Sequence, residues 1–148
     1  LTALSTYDLN TTATKMINLK RAIDQNDLIK FFDILENIFA HIPYTLTTKD
    51  LKEKDYHTLI QFILSVLSVN AQSETITNNG RIDLVLETKN NIYIFEFKVN
   101  QSAEIALQQI KDKKYYQKIL DKNKKIVLVG LNFNNLDNNL GFISEELR

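Results

Sequence analysis

Three charged residues, Asp83, Glu96 and Lys98, stand inside two short apolar runs, RIDLVLE and NIYIFEFKV. Both runs are rich in branched and aromatic residues and bounded by Asn, Gly and Thr, which reads as two strands of a hairpin. Side chains alternate faces along a strand. Glu96 and Lys98 therefore share a face with Ile92 and Ile94, while Tyr93, Phe95, Phe97 and Val99 point the other way. On the first strand Asp83, Val85 and Glu87 share one face, and Ile82, Leu84 and Leu86 the other. A charge in so apolar a strand is rarely buried unless it is paired or binds a metal. Two carboxylates on adjacent strands are hard oxygen ligands suited to a divalent cation. A lysine beside them can orient a water or offset negative charge. The bland alternative is a partly buried Glu96–Lys98 ion pair with no catalysis.

The order Asp, a dozen residues, then Glu-x-Lys resembles the active-site signature of the PD-(D/E)xK nuclease superfamily. A longer context carries the resemblance further: GRIDLVL, IYIFEFK, ALQQIKDKKYY and IVLVGLNF are similar to a branch often found behind an AAA-type ATPase-like domain in bacterial proteins. It runs over residues 24–142. The resemblance implies an α/β (α+β) fold with a restriction-endonuclease-like core. Its mixed central sheet, an antiparallel meander plus one parallel strand, is flanked by helices and extended by extra N-terminal helices. It implies Mg²⁺- or Mn²⁺-dependent hydrolysis of phosphodiester bonds in DNA or RNA, with Asp83 and Glu96 as metal ligands and Lys98 assisting the attacking water. The Phe97 carbonyl and Glu53 complete the implied metal site. It also implies an upstream ATPase-like domain as a partner. The rival function is a catalytically inactive nuclease-fold module used for protein or nucleic-acid binding. Intact Asp83, Glu96 and Lys98 favour the enzyme, and a neutral net charge favours the module.

Two helices must bring the remaining candidates to this hairpin. Over residues 51–69, Glu53, Tyr56, His57, Ile60, Leu64 and Leu67 recur on one helical face. That makes Glu53 the candidate ligand, with Asp55 an alternative on another face; a carboxylate favoured by the helix dipole is the structural reading. His57 reads as a hydrogen-bonded packing residue or a phosphate contact. The spacing predicts a second helix over 103–120, where Gln109, Lys113 and Tyr116 form a stripe. The resembled family places a Gln and a Tyr of this helix near the catalytic hairpin, which points to Gln109 and to Tyr116 or Tyr115. A solvent-facing Gln and a half-buried Tyr would fit the spacing equally. Arg81, Gln109 and Lys113 could contact phosphates.

The other segments supply scaffold. Residues 5–14 are polar and unpatterned and read as a loose entry, followed by a short helix over 13–23. Asp24-Gln25-Asn26-Asp27 is a break with capping chemistry. The spacing of Leu28, Phe31, Phe32, Leu35 and Phe39 predicts an amphipathic helix that ends before Pro43. Residues 70–77 read as a strand, turned by Asn78-Asn79-Gly80 into the Asp83 strand. The apolar run over 125–133 reads as a buried strand parallel to the Glu96 strand. An Asn-rich loop over 134–139 then leads to an edge strand over 141–147.

At 148 residues the chain makes one compact domain, divided in expectation into a helical extension (1–50) and the nuclease-like core (51–148). Hydrophobic residues at 44% and charged ones at 24% are ordinary for a globular protein. No apolar run reaches the roughly 18 residues of a membrane span, and no basic-then-apolar leader opens the chain. Its first residue is Leu, as in a piece of a longer protein. The absence of cysteine excludes disulfides and Cys-ligated zinc and suits an intracellular, cytoplasmic setting. Three glycines and no Gly-rich loop exclude a Walker-type site. Net charge is zero, which weighs against broad electrostatic binding of nucleic acid. Lysines do cluster, seven of them over 111–125, as either a phosphate-binding or a merely solvated face.

Overall fold

A computed structural model describes residues 2–40, 58, 70–77, 80–114, 116–117, 123–134 and 139–147, without the side chains of 2–10, 12, 40, 70–77, 80–83 and 139. Among the described residues five strands form one sheet in sequence order: β1 (Asn70–Thr77), β2 (Gly80–Glu87), β3 (Asn91–Val99), β4 (Lys125–Asn134) and β5 (Asn139–Leu147). β1, β2 and β3 make the antiparallel meander, and β3 pairs with β4 in parallel. β5 returns antiparallel along β4. Among the described residues three helices with defined bounds accompany the sheet: α1 (Thr2–Asp24), α2 (Leu28–Ala40) and α3 (Ala103–Lys113). This is the mixed sheet with flanking helices expected of a restriction-endonuclease-like core.

The alternation of β3 divides the core into two layers. Tyr93, Phe95 and Phe97 are buried with Leu19, Ile23, Phe31 and Leu35 of α1 and α2 and with Val127, Val129 and Leu131 of β4. Ile92 and Ile94 lie on the opposite face with Val85, Ile126, Leu128 and Ile110 of α3. Both faces of β3 and β4 are thus covered, which explains their near-continuous apolar sequence.

Turn chemistry sets the register. Thr77 pairs with Gly80, so two residues connect β1 to β2, the loop length that Asn-Gly signals favour. At the other end Thr88 N donates to Asn91 O at 2.9 Å, and Asn91 N donates to Thr88 Oγ1 at 3.1 Å. The Ser102 hydroxyl caps α3, accepting from Ile105 N at 3.2 Å. Asp27 caps α2 in the same way, accepting from Lys30 N, after Asn26 turns the chain at φ 58°.

Two helix boundaries differ from expectation. Residues 5–14 are not a loose entry but part of a single helix of 23 residues. Nothing in that stretch breaks a helix, since it holds neither Gly nor Pro, and helices propagate cheaply from an ordered turn. Leu19, Ala22 and Ile23, fully buried, provide that order. The helix predicted over 103–120 ends at Lys113, because Lys114 adopts φ 51°, ψ 42° and its N–H closes back on Ile110 O and Lys111 O. The helix predicted over 51–69 lies outside the described residues, apart from Thr58, which is helical. Among the described residues no helix is long and apolar enough to cross a membrane.

Candidate functional site

Glu96 is buried, with 3% of its surface exposed, near the C-terminal end of β3. Its Oε1 accepts a 2.7 Å hydrogen bond from Gln109 Nε2 on α3. Gln109 fixes the carboxylate's orientation without cancelling its charge, since a carboxamide is neutral. Two residues on, half-exposed Lys98 follows on the same face of the strand. The Phe97 side chain between them is buried on the opposite face, among Phe133, Phe95 and the α1–α2 layer.

Gly130 makes this approach of α3 possible. It is the register partner of Glu96 on β4. A Cβ there would collide with Ala103 O and lie 2.6 Å from Leu107 N. Real Cβ atoms do not tolerate such distances, so the helix backbone rests directly on the sheet beside Glu96. Gln109, two residues beyond Leu107, then reaches the carboxylate. Sequence reasoning missed Gly130, although a lone glycine inside an apolar strand is a signal of close backbone approach.

Asp83 belongs to the backbone of β2. The β2–β3 pairing runs Glu87 with Ile92, Leu86 with Tyr93, Val85 with Ile94 and Leu84 with Phe95. That pairing ends at Leu84 and Phe95, so position 83 lies one residue beyond its end on β2 and Glu96 one residue beyond it on β3, with position 83 at the strand parity of Val85. The side chains of Asp83 and Arg81 lie outside the described residues, as do Glu53, Asp55 and His57 altogether. Among the described residues no group of three or more His, Asp or Glu is gathered for a metal. Glu96 and the Phe97 carbonyl are hard oxygen donors, and this donor chemistry fits a divalent cation.

Tyr116 does not continue the Gln109–Lys113 stripe. α3 has ended by then, and Tyr116 sits in a short turn, packed against the Ile92–Ile94–Ile110 cluster. Tyr115 lies outside the described residues. The lysine cluster also resolves into separate roles. Lys111 pairs with Glu145 at 3.1 Å, Lys124 with Glu87 at 2.7 Å and Lys125 with Glu146 at 3.5 Å. These acidic partners lie on β5 and β2, far away in sequence, so spacing within the cluster carried no sign of them. Lys113 is exposed and has no acidic partner among the described residues.

A family model for the PD-(D/E)XK nuclease superfamily matches residues 51–142. The chain belongs to the PD-(D/E)XK nuclease superfamily. The match spans the meander, the Glu96–Lys98 strand, α3 and β4, which are the elements that build the site. Members of this superfamily are usually nucleases and typically use divalent metals. Among curated proteins, the chain is 30% identical over 128 residues to an "Uncharacterized protein in vnfD 5'region" of Azotobacter chroococcum mcd 1. That alignment covers 82% of this chain and 25% of the relative, so the chain spans about a quarter of the length of the relative it matches. No solved structure matches.

Proposed function

We propose that this PD-(D/E)XK domain is a metal-dependent nuclease that hydrolyses phosphodiester bonds of DNA or RNA at Asp83, Glu96 and Lys98. The observation that carries the reading is the buried Glu96 carboxylate, held by Gln109 and followed by Lys98 on one strand face. Burying a carboxylate in an apolar strand is costly, and such local conflicts mark functional sites.

Asp83 and Glu96 would hold Mg²⁺ or Mn²⁺, with the Phe97 carbonyl and Glu53 as further oxygen donors. When bound, the cation supplies charge stabilisation for the phosphate and the leaving oxygen. Gln109 keeps the Glu96 carboxylate in one orientation, which limits the reorganisation needed during reaction. Lys98 orients the attacking water through Nζ and offsets negative charge that develops on the phosphate. Arg81, Lys113 and His57 would contact flanking phosphates. An ATPase-like domain in the remainder of a longer protein would act as the partner that delivers or moves the substrate.

The test is cleavage of DNA and RNA by the full protein with Mg²⁺, Mn²⁺ or EDTA, alongside Asp83→Ala and Lys98→Ala. Metal-dependent products that disappear in both variants are expected. Binding of nucleic acid with no cleavage under any metal, or cleavage that survives both substitutions, overturns the assignment and leaves a binding module.

A further inference from the structure

Asn100, Gln101 and Ser102 turn the chain from β3 into the helix that carries Gln109. Asn100 leaves the strand at φ 58°, and its N–H donates to Phe133 O on β4 at 2.8 Å. Ser102 caps the helix from within, accepting from Ile105 N. Between them, Gln101 O accepts from the side-chain amide of Asn132 on β4. The direction of that amide follows from its partner: a carbonyl only accepts, so the nitrogen end must face it. Its oxygen end lies toward Gly141 of β5, 3.6 Å from where a Cβ would stand.

Asn132 stands in a row with the proposed site. In the parallel β3–β4 register Glu96 pairs with Gly130, and Lys98 with Asn132. Gly130 and Asn132 share the strand parity of Ile126 and Leu128, which lie in the layer of α3. The entry of α3 therefore meets β4 twice, at a glycine opposite the carboxylate and at an amide opposite the lysine. The seat at Gly130 is backbone on backbone, with Ala103 O and Leu107 N against it. It sets how closely α3 lies, but it offers no side-chain ridge to fix the helix along its axis. Further along, Ile110 is buried among apolar side chains, and such burial is non-directional. The tie from Asn132 to Gln101 O is directional, and it acts where the helix begins. Gln109 lies about 9 Å along the axis from Ala103, at about 1.5 Å per residue, and meets Glu96 Oε1 at 2.7 Å. Hydrogen bonds weaken steeply with misdirection, so a slide or turn at the entry loses that contact.

We infer that Asn132 is a positioning residue: by holding Gln101 O it fixes where α3 begins, and through α3 it keeps Gln109 on the Glu96 carboxylate. It acts through the helix and not on the reacting atoms. The inference rests on the nuclease reading only where it concerns the metal, since the seating of Gln109 is a property of the fold.

The test follows the Gln109 side-chain amide of the full protein by ¹H–¹⁵N NMR, its signals identified by their loss in Gln109→Ala. Asn132→Leu nearly keeps the shape of the side chain and removes the donor. The Gln109 amide protons should then exchange with water about tenfold faster, while the backbone spectrum stays that of a folded chain. Asn132→Val, which also lacks the amide and suits a strand, is read in the same way if Asn132→Leu does not fold. A role in stability alone would lower the urea midpoint and leave the Gln109 signals unmoved. Calorimetric binding of Mn²⁺ gives a second readout. Asn132→Leu should weaken it about tenfold, and in a Gln109→Ala background should weaken it no further, because both substitutions break one link. Unmoved Gln109 signals in the folded variant, or losses of Mn²⁺ affinity that multiply in the double variant, overturn the positioning role. The failures separate cleanly. A wild-type protein that binds no Mn²⁺, yet loses the Gln109 contact in Asn132→Leu, sinks the nuclease assignment alone. Metal-dependent cleavage with Gln109 unmoved by Asn132→Leu sinks the positioning role alone.

Discussion

Gln109 donates from Nε2 to Glu96 Oε1 at 2.7 Å, joining α3 to a buried carboxylate on β3. The contact is a link between a helix and a strand 13 residues apart, and it depends on a glycine of a third element, Gly130 on β4. Packing, hydrogen bonding and the proposed chemistry meet at this one pair.

Gln109→Ala should therefore weaken the site first and the fold with it. Loss of an orienting partner of a metal ligand typically costs about 10–100-fold in metal affinity or activity. Because the buried Glu96 carboxylate loses a donor, the stability cost is about 1–3 kcal/mol. Mn²⁺ titration of cleavage, set beside urea unfolding, reads the two effects separately. Full activity at unchanged metal requirement would remove Gln109 from the site.

Gly130→Ala should act in the reverse order, through structure first. The new methyl meets helix backbone at Leu107 N and Ala103 O rather than a yielding side chain. Overpacking of this kind costs about 1–3 kcal/mol, or more where backbone cannot shift. Urea midpoints measure it. Because the helix must move off the sheet, Gln109 should lose Glu96 and cleavage should fall with stability.

Tyr93 predicts a loss of stability in alkali. Its ring is fully buried, and its hydroxyl donates within a site formed by Ile23 O and Asn26 Oδ1. Burial pushes its pKa up from 10.0 to about 12, opposed by the hydrogen bond from Asn91 and reinforced by the charges of Asp24 and Glu146. The phenol is raised in the fold, so the unfolded chain ionises first. The contribution is intact below about pH 10 and is lost as pH rises through about 12. Its full size is about 3 kcal/mol. Urea unfolding at pH 8 and pH 11 should show the decline, and Tyr93→Phe should flatten that part of the profile.

The lysines should divide by partner. Lys124 Nζ donates to both Glu87 Oε2 and Thr88 O and is about a quarter exposed. Lys124→Met should cost about 1 kcal/mol. The Lys125–Glu146 pair is half exposed, and Lys125→Ala should stay within about 0.5 kcal/mol. In nucleic-acid binding the order reverses. Lys113→Ala should reduce the slope of log affinity against log salt by about 1, whereas Lys125→Ala should leave it unchanged.

The sequence by itself determined the strands, their order and the faces of the Glu96 hairpin. Period-two alternation between the two faces of a strand is imposed residue by residue, and the turn residues Asn, Gly and Thr set the connections locally. It also determined that Glu96 and Lys98 share a face, since two residues along a strand can do nothing else. Only the tertiary structure decided which groups meet them. That Gln109 reaches Glu96 depends on Gly130 admitting the helix backbone at Leu107 and Ala103, residues far from it in sequence. The end of α3 at Lys114 removed Tyr116 from the predicted stripe, because a helical period holds only while the helix lasts. Three lysines of an apparently basic run proved to be paired with Glu87, Glu145 and Glu146 on other strands. Such pairings follow from strand register across the sheet, and no local spacing encodes them.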